Sequence, residues 1–184
     1  SKSDSATLLI INRDGKQVLS QDIVSSYVLL EWDSTQDHEE QLLVMALQED
    51  WSYDSWLINA ETKEETELSL PKPFIQWVDG EHIAYMGDET DRGTPVHQYG
   101  MELKNDQVIY EDAVGIFSKY GKTIIGSVDD EGVSMTLKAY EKGGFEKPIQ
   151  EITIPALKKN GEYLMPYMDV PKDGDGGSIF VLAP

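Results

Sequence analysis

The stretch Phe74-Ile75-Gln76-Trp77-Val78-Asp79-Gly80-Glu81-His82-Ile83-Ala84-Tyr85 decides the fold. Aromatic and β-branched residues on both sides suit a pleated, half-buried surface. Between them Asp79-Gly80 supplies a tight turn, because glycine accepts positive φ without a Cβ penalty. Two short strands joined in a hairpin are expected here.

The same signature returns along the chain. Phe117-Ser118-Lys119-Tyr120-Gly121-Lys122-Thr123-Ile124-Ile125 places its glycine 41 residues after Gly80, and Lys159-Asn160-Gly161-Glu162-Tyr163-Leu164-Met165 places another 40 residues later. Upstream, Trp32-Asp33 lies 45 residues before Trp77-Val78, followed by the apolar run Leu42 to Leu47. An interleaved unit repeats as well, since Ile11-Asn12 and Ile58-Asn59 stand 47 apart. A period in the forties built from four short strands marks a β-propeller blade: one small sheet covers both faces only when neighbours stack on it.

Composition narrows the classes. The 184 residues suit one domain, with 1–6 as a polar spacer and 7–184 as the propeller-like domain, and 40% apolar content with nine tyrosines and four tryptophans argues for a packed core. Thirty-four acidic against 15 basic residues give a formal charge of −19. That field repels phosphate backbones and anionic headgroups within ~8 Å at physiological salt, so nucleic acid is not an expected partner. The plain reading of the charge is solubility, ahead of recognition of a cationic partner. With no cysteine there is no disulfide framework, thiolate zinc site or thiol nucleophile. No apolar run approaches the ~20 residues that span a bilayer. The polar start Ser1-Lys2-Ser3-Asp4-Ser5 reads as a spacer of the kind that follows a lipid-anchored end, or as a cloning remnant. An extracytoplasmic, lipid-anchored protein is the corresponding expectation.

In order, Thr7 to Ile11 and Lys16 to Ile23 form a hairpin about Asn12-Arg13-Asp14-Gly15. Tyr27 to Trp32 precedes an acidic insertion from Asp33 to Gln41. Leu42 to Gln48 reads as a buried strand, and Ser55 to Asn59 pairs with Glu65 to Leu70 before Pro71 and Pro73 close the blade. Eight segments after Pro73 make two further blades. Tyr163 to Val170 and Ser178 to Leu182 read as a final strand pair, with Ala156 to Asn160 open to one helical turn. If the opening and final pairs share a sheet, every edge is covered and a ring of four blades is sealed. An all-β propeller of four four-stranded blades is therefore expected, with a fragment of a larger propeller, a sandwich or a barrel as alternatives.

Trp77-Val78-Asp79-Gly80-Glu81-His82-Ile83-Ala84-Tyr85 resembles the repeat of TolB-type and WD-like propellers. The likeness is partial around Tyr120-Gly121 and poor around Trp32, where the insertion replaces the turn. It implies a scaffold whose members mostly bind proteins or peptides, and it carries no catalytic motif.

Three acidic clusters offer oxygen ligands: Asp33, Asp37, Glu39 and Glu40; Asp88, Glu89 and Asp91; Asp173 and Asp175 near Asp169. None has the spacing of a calcium loop, so solvated turns are expected, with no metal and no cofactor. A calcium-stabilised domain is a further possibility, to be tested by melting with calcium and with chelator. His38, His82 and His97 lack zinc-site spacing, and no nucleophile elbow or phosphate loop occurs. The tryptophans serve inter-blade packing by default, but Trp51 and Tyr53 sit in a polar, turn-like stretch that suits an aromatic contact surface. The expected function is a non-enzymatic module engaging a protein or peptide through Asp33, Trp51, Tyr53, Asp79, Asp88 and Asp91. The alternative is a glycan hydrolase using carboxylates from the acidic loops, which requires a pair ~5 to 9 Å apart.

Overall fold

The computed structural model describes residues 5–35, 40–90, 93–171 and 180–182. Its chain divides into two compact units, Ser1–Asp33 with His38–Pro73, and Ser34–Asp37 with Phe74–Pro184.

The first unit opens with a hairpin of β1 (Ser5–Ile11) and β2 (Gln17–Val24). Its turn is set by Asn12, whose Oδ1 accepts from the N–H groups of Asp14 (3.1 Å) and Lys16 (2.9 Å), while Gly15 takes φ +76°. Strict alternation turns Leu8 and Ile10 inward and leaves Leu9 and Ile11 exposed. A four-stranded antiparallel meander follows: β3 (Tyr27–Trp32), β4 (Gln41–Leu47), β5 (Tyr53–Asn59) and β6 (Glu65–Leu68). Leu8, Ile10 and Ile23 pack on Leu42, Val44, Ala46 and Ile58 to form this unit's core. The alternate residues of β4, Leu43, Met45 and Leu47, are buried too, so the unbroken apolar run is a strand covered on both faces. On β6 the exposed Glu65 and Glu67 put charge on the outer edge of the sheet.

The second unit carries two more meanders. One is β7 (Ile75–Trp77), β8 (His82–Met86), β9 (Thr94–Gly100) and β10 (Asn105–Ala113). The other is β11 (Gly115–Lys119), β12 (Lys122–Val128), β13 (Ser134–Glu141) and β14 (Gln150–Pro155). Val78, Ala84, Val96 and Ala113 of the first meet Ile125 and Tyr140 of the second in one apolar cluster. Their leading strands are also stitched by polar bonds. Ser118 N–H donates to Gln76 Oε1 (2.5 Å), and Ser118 Oγ donates to the Trp77 carbonyl and lies 3.0 Å from Thr123 Oγ1. On the far face of the last meander, Met168 and Val170 cover Ile124, Leu137 and Ala139. Gly115 and Gly126 are direct cross-strand partners, and the Met165 side chain lies in the furrow they leave: a Cβ on Gly126 would stand 2.4 Å from its Sδ.

Two expectations are corrected. The ring does not close by pairing of the first and last strands. β1 and β2 form a sheet of two, and β17 (Tyr167–Asp169) with β18 (Phe180–Leu182) forms another, with no ladder joining the two pairs among the described residues. Successive meanders satisfy their own ladders locally, so nothing in them compels the chain ends to meet. Between them, β15 (Lys158–Lys159) and β16 (Glu162–Tyr163) form a small hairpin where a helical turn was one option. Asn160 (φ +55°) and Gly161 (φ +92°) both take left-handed geometry, the pairing a two-residue hairpin turn demands.

Candidate binding surface

Trp51 stands at the tip of the β4–β5 turn. Gln48 N–H donates to the Ser52 carbonyl (2.8 Å) and Trp51 N–H to the Gln48 carbonyl (3.0 Å). Asp50 Oδ1 accepts from Ser52 Oγ (2.6 Å) and Ser52 N–H (3.0 Å). These bonds hold Trp51 at φ +66° with its side chain turned outward, 71% of the residue exposed. The Ser52 hydroxyl first, and then its amide, lower the Asp50 carboxyl below its ordinary value.

Tyr53 begins β5 and is only partly exposed. Its hydroxyl donates to the Leu70 carbonyl at 2.5 Å, and burial raises its pKa. At the same end of the sheet, Tyr27 pairs with Leu47, which in turn pairs with Tyr53. Ser26 N–H (3.1 Å) and Ser25 Oγ (2.6 Å) both donate to the Leu47 carbonyl, and Gln48 Nε2 donates to the Val24 carbonyl at 3.4 Å. The β2–β3 link is thereby tied to the Trp51 turn. Val24 is 61% and Tyr27 60% exposed. Sequence reasoning missed both; the signal was a tyrosine opening a strand directly after a Ser-Ser break.

The other expected residues do not join this end. Asp33 lies past Trp32, which pairs with Leu42 at the opposite end of the sheet, about 20 Å away along a six-residue strand. It is 3% exposed, and its N–H donates to the Gln41 carbonyl at 2.9 Å. In the second unit Asp79 closes its own turn: Oδ1 accepts from Glu81 N–H (2.9 Å), His82 N–H (2.8 Å) and His82 Nδ1–H (2.8 Å). Asp88 is exposed beyond the far end of β8. Asp91 lies outside the described residues, as do Asp37, Glu39, Asp173 and Asp175. By position, Asp33 and Asp79 follow the first strands of their sheets, while Trp51 and Asp88 follow the second. A meander puts those turns at opposite ends. Asp169 Oδ1 is engaged by Lys119 Nζ at 2.7 Å, and no group of three metal-ligating side chains occurs among the described residues.

A second polar constellation spans β8, β9 and β10. Tyr85 and His97 are cross-strand partners with stacked rings, centroids 4.9 Å apart and planes at 14°. Tyr85 Oη donates to Asp106 Oδ2 (2.9 Å), and His97 Nδ1–H donates to the same carboxylate at 3.1 Å. Gly87 gives the imidazole its room, since a Cβ there would lie 2.8 Å from Nε2. Through one shared carboxylate the trio fastens three strands together. A mostly apolar cavity, lined by Ile124, Leu137, Ala139, Gln150, Ile152, Met168 and Val181, measures about 20 Å³. That is room for a water molecule, far below a ligand pocket.

Comparison with known proteins shows what these sheets belong to. An uncharacterized protein from Listeria monocytogenes EGD-e superposes with a TM-score of 0.75 at 11% identity, over 91% of this chain and 51% of the other, a likeness of fold alone. TolB from Acinetobacter baumannii superposes with a TM-score of 0.45 at 12% identity, over 86% of this chain and 42% of the other. The chain thus spans about half the length of the solved structures it matches. No curated protein matches it. The family whose model matches residues 1–181 is described as the YqgU-like 6-bladed beta propeller domain. Six blades overturn the expected four: among the described residues three complete four-stranded sheets stand, half the family's number, and the two terminal strand pairs form no ladder that would make a fourth. The chain belongs to the family of YqgU-like 6-bladed β-propeller domains.

Proposed function

We propose that the protein is a non-enzymatic binding module, placed outside the cytoplasm and held at the cell surface by a lipid, that engages a protein or peptide through the end of the first unit bearing Val24, Tyr27 and Trp51. One observation carries this reading: a large aromatic side chain is held outward in a strained conformation. A non-glycine residue in left-handed geometry costs about 1–2 kcal/mol, and such strain is retained where surrounding bonds over-determine it, often at functional positions. Tyr120, the other aromatic residue with positive φ (+52°), packs against the core of the last meander. Trp51 has no such burial to offset its strain, and exposed tryptophan is the residue type that most often anchors an interface. In the glycan-hydrolase alternative, Asp79 would have to act while its Oδ1 serves three donors of its own turn.

The test compares wild type with Trp51→Ala in capture of proteins from the surface fraction of the source organism. A partner retained by wild type and lost with the folded variant is expected. A partner held equally by both would move the binding surface elsewhere, and recovery of the full-length protein only in the soluble cytoplasmic fraction would remove the surface placement.

A further inference from the structure

We infer that the segment covering Val24, Tyr27 and Trp51 is cationic: a peptide stretch of the partner that carries arginine or lysine beside an apolar residue. The inference rests on Trp51 being the anchor of the binding surface, and it adds the chemistry of what binds there.

The charges around the patch are one-sided. Glu49 and Asp50 precede Trp51 in its turn, and Asp54 follows Tyr53; all three are exposed. Asp22 lies two residues before Val24, on the same face of β2, with Thr7 Oγ1 donating to its Oδ1 at 2.8 Å. Lys72 is a basic residue close by, and its charge bears on Tyr53. The carboxylates of Glu49 and Asp54 have no hydrogen-bond or ion-pair partner among the described residues. Asp50 uses only Oδ1 on Ser52.

Covering such a patch has different consequences for different partners. A neutral apolar segment shields Trp51 but strips water from carboxylates that gain nothing in return. An acidic segment is repelled by these groups and by the −19 net charge of the chain. A cationic segment meets both demands. Its apolar residue covers Val24 and Tyr27, its guanidinium or ammonium sits over the exposed indole face, and the remaining donors reach Glu49 and Asp50. The acidic chain also draws such a segment in by long-range steering.

The test uses three labelled probe peptides on the full chain, read by fluorescence anisotropy at low and high salt: one of alternating arginine and leucine, one with serine in place of arginine, and one with glutamate. Only the arginine peptide is expected to bind, more weakly at high salt. Trp51→Ala should weaken it about tenfold or more, the order of a desolvated cation–aromatic contact. The double variant Glu49→Gln with Asp50→Asn should weaken it several-fold while keeping the Ser52 acceptor, and thermal melts confirm that both variants fold. If the serine peptide binds equally well and depends on Trp51, the anchor stands and the cationic partner is overturned. Arginine-peptide binding that ignores Trp51→Ala would be diffuse attraction to an acidic chain, and overturns the inference, as does binding of no peptide.

Discussion

Two tryptophans stand beside two aspartate-capped turns and meet opposite fates. Trp77, on β7 of the second unit, precedes Asp79-Gly80 and is 1% exposed; Trp51 follows Asp50 and projects from the first. The capping chemistry is the same in both, a carboxylate accepting the N–H two residues on. The difference lies in the backbone: Trp51 takes a left-handed φ of +66°, and no residue from Trp77 to His82 does, Gly80 included. At the β7–β8 turn Asp79 binds His82 back onto the hairpin, and the aromatic residue remains in the strand, where alternation points it inward. At the β4–β5 turn the tryptophan itself occupies the left-handed position, so it cannot join either strand's inward face. One turn closes the structure and the other presents a side chain.

Four substitutions break or sharpen that contrast. The largest effect belongs to Trp77→Ala, which should lose about 3–5 kcal/mol of stability through the cavity it leaves, read from the midpoint of urea unfolding. Next, Asp79→Ala deprives three donors of their acceptor and should cost about 2 kcal/mol, again as a lower midpoint with unchanged slope. Trp51→Gly should go the other way: relief of the left-handed strain, less the entropy cost of glycine, leaves a gain of up to about 1 kcal/mol, with binding lost. A variant less stable than wild type would show that the indole is packed rather than presented. The smallest effect is one of pH. Because its folded carboxyl titrates below the ordinary 3.8, Asp50 supports its turn above that value and loses the contribution as pH falls through the lowered one. The melting difference between wild type and Asp50→Asn should therefore be level at neutral pH and vanish in strong acid.

Much of the architecture could be read from local pattern. Asp79-Gly80 between aromatic and β-branched runs, the continuous apolarity of Leu42 to Leu47, and the turn at Asn12 to Gly15 each encode a strand or hairpin within a few residues. Ring size and closure have no such code, because they depend on how many sheets stack and on which edges lie together in space. That is why four blades were expected in a six-bladed family. The proposed binding surface was half legible. Trp51 and Tyr53 announced themselves by a polar setting, whereas Tyr27 joins them only through the register of β3, β4 and β5, and Val24 only through the bond from Gln48 Nε2 to its carbonyl. Asp33, read as a rim-loop residue, is buried, and its N–H donates to the Gln41 carbonyl. The glycine furrow that seats Met165 was equally hidden: Gly115 and Gly126 are eleven positions apart and become neighbours only across a ladder.

The stitch at Ser118 bears on how the second unit comes apart. In stacked-repeat proteins each sheet has a stability of its own plus a coupling to its neighbour. Here that coupling includes bonds from one serine to Gln76 and to the Trp77 backbone, alongside shared apolar packing. Opening either meander exposes polar groups that the other had satisfied, so both should exchange their slowest amide protons together. Ser118→Ala, which removes the hydroxyl's bond to Trp77 and keeps the amide's bond to Gln76 and the shared packing, would then weaken that coupling and speed this slowest exchange in both meanders.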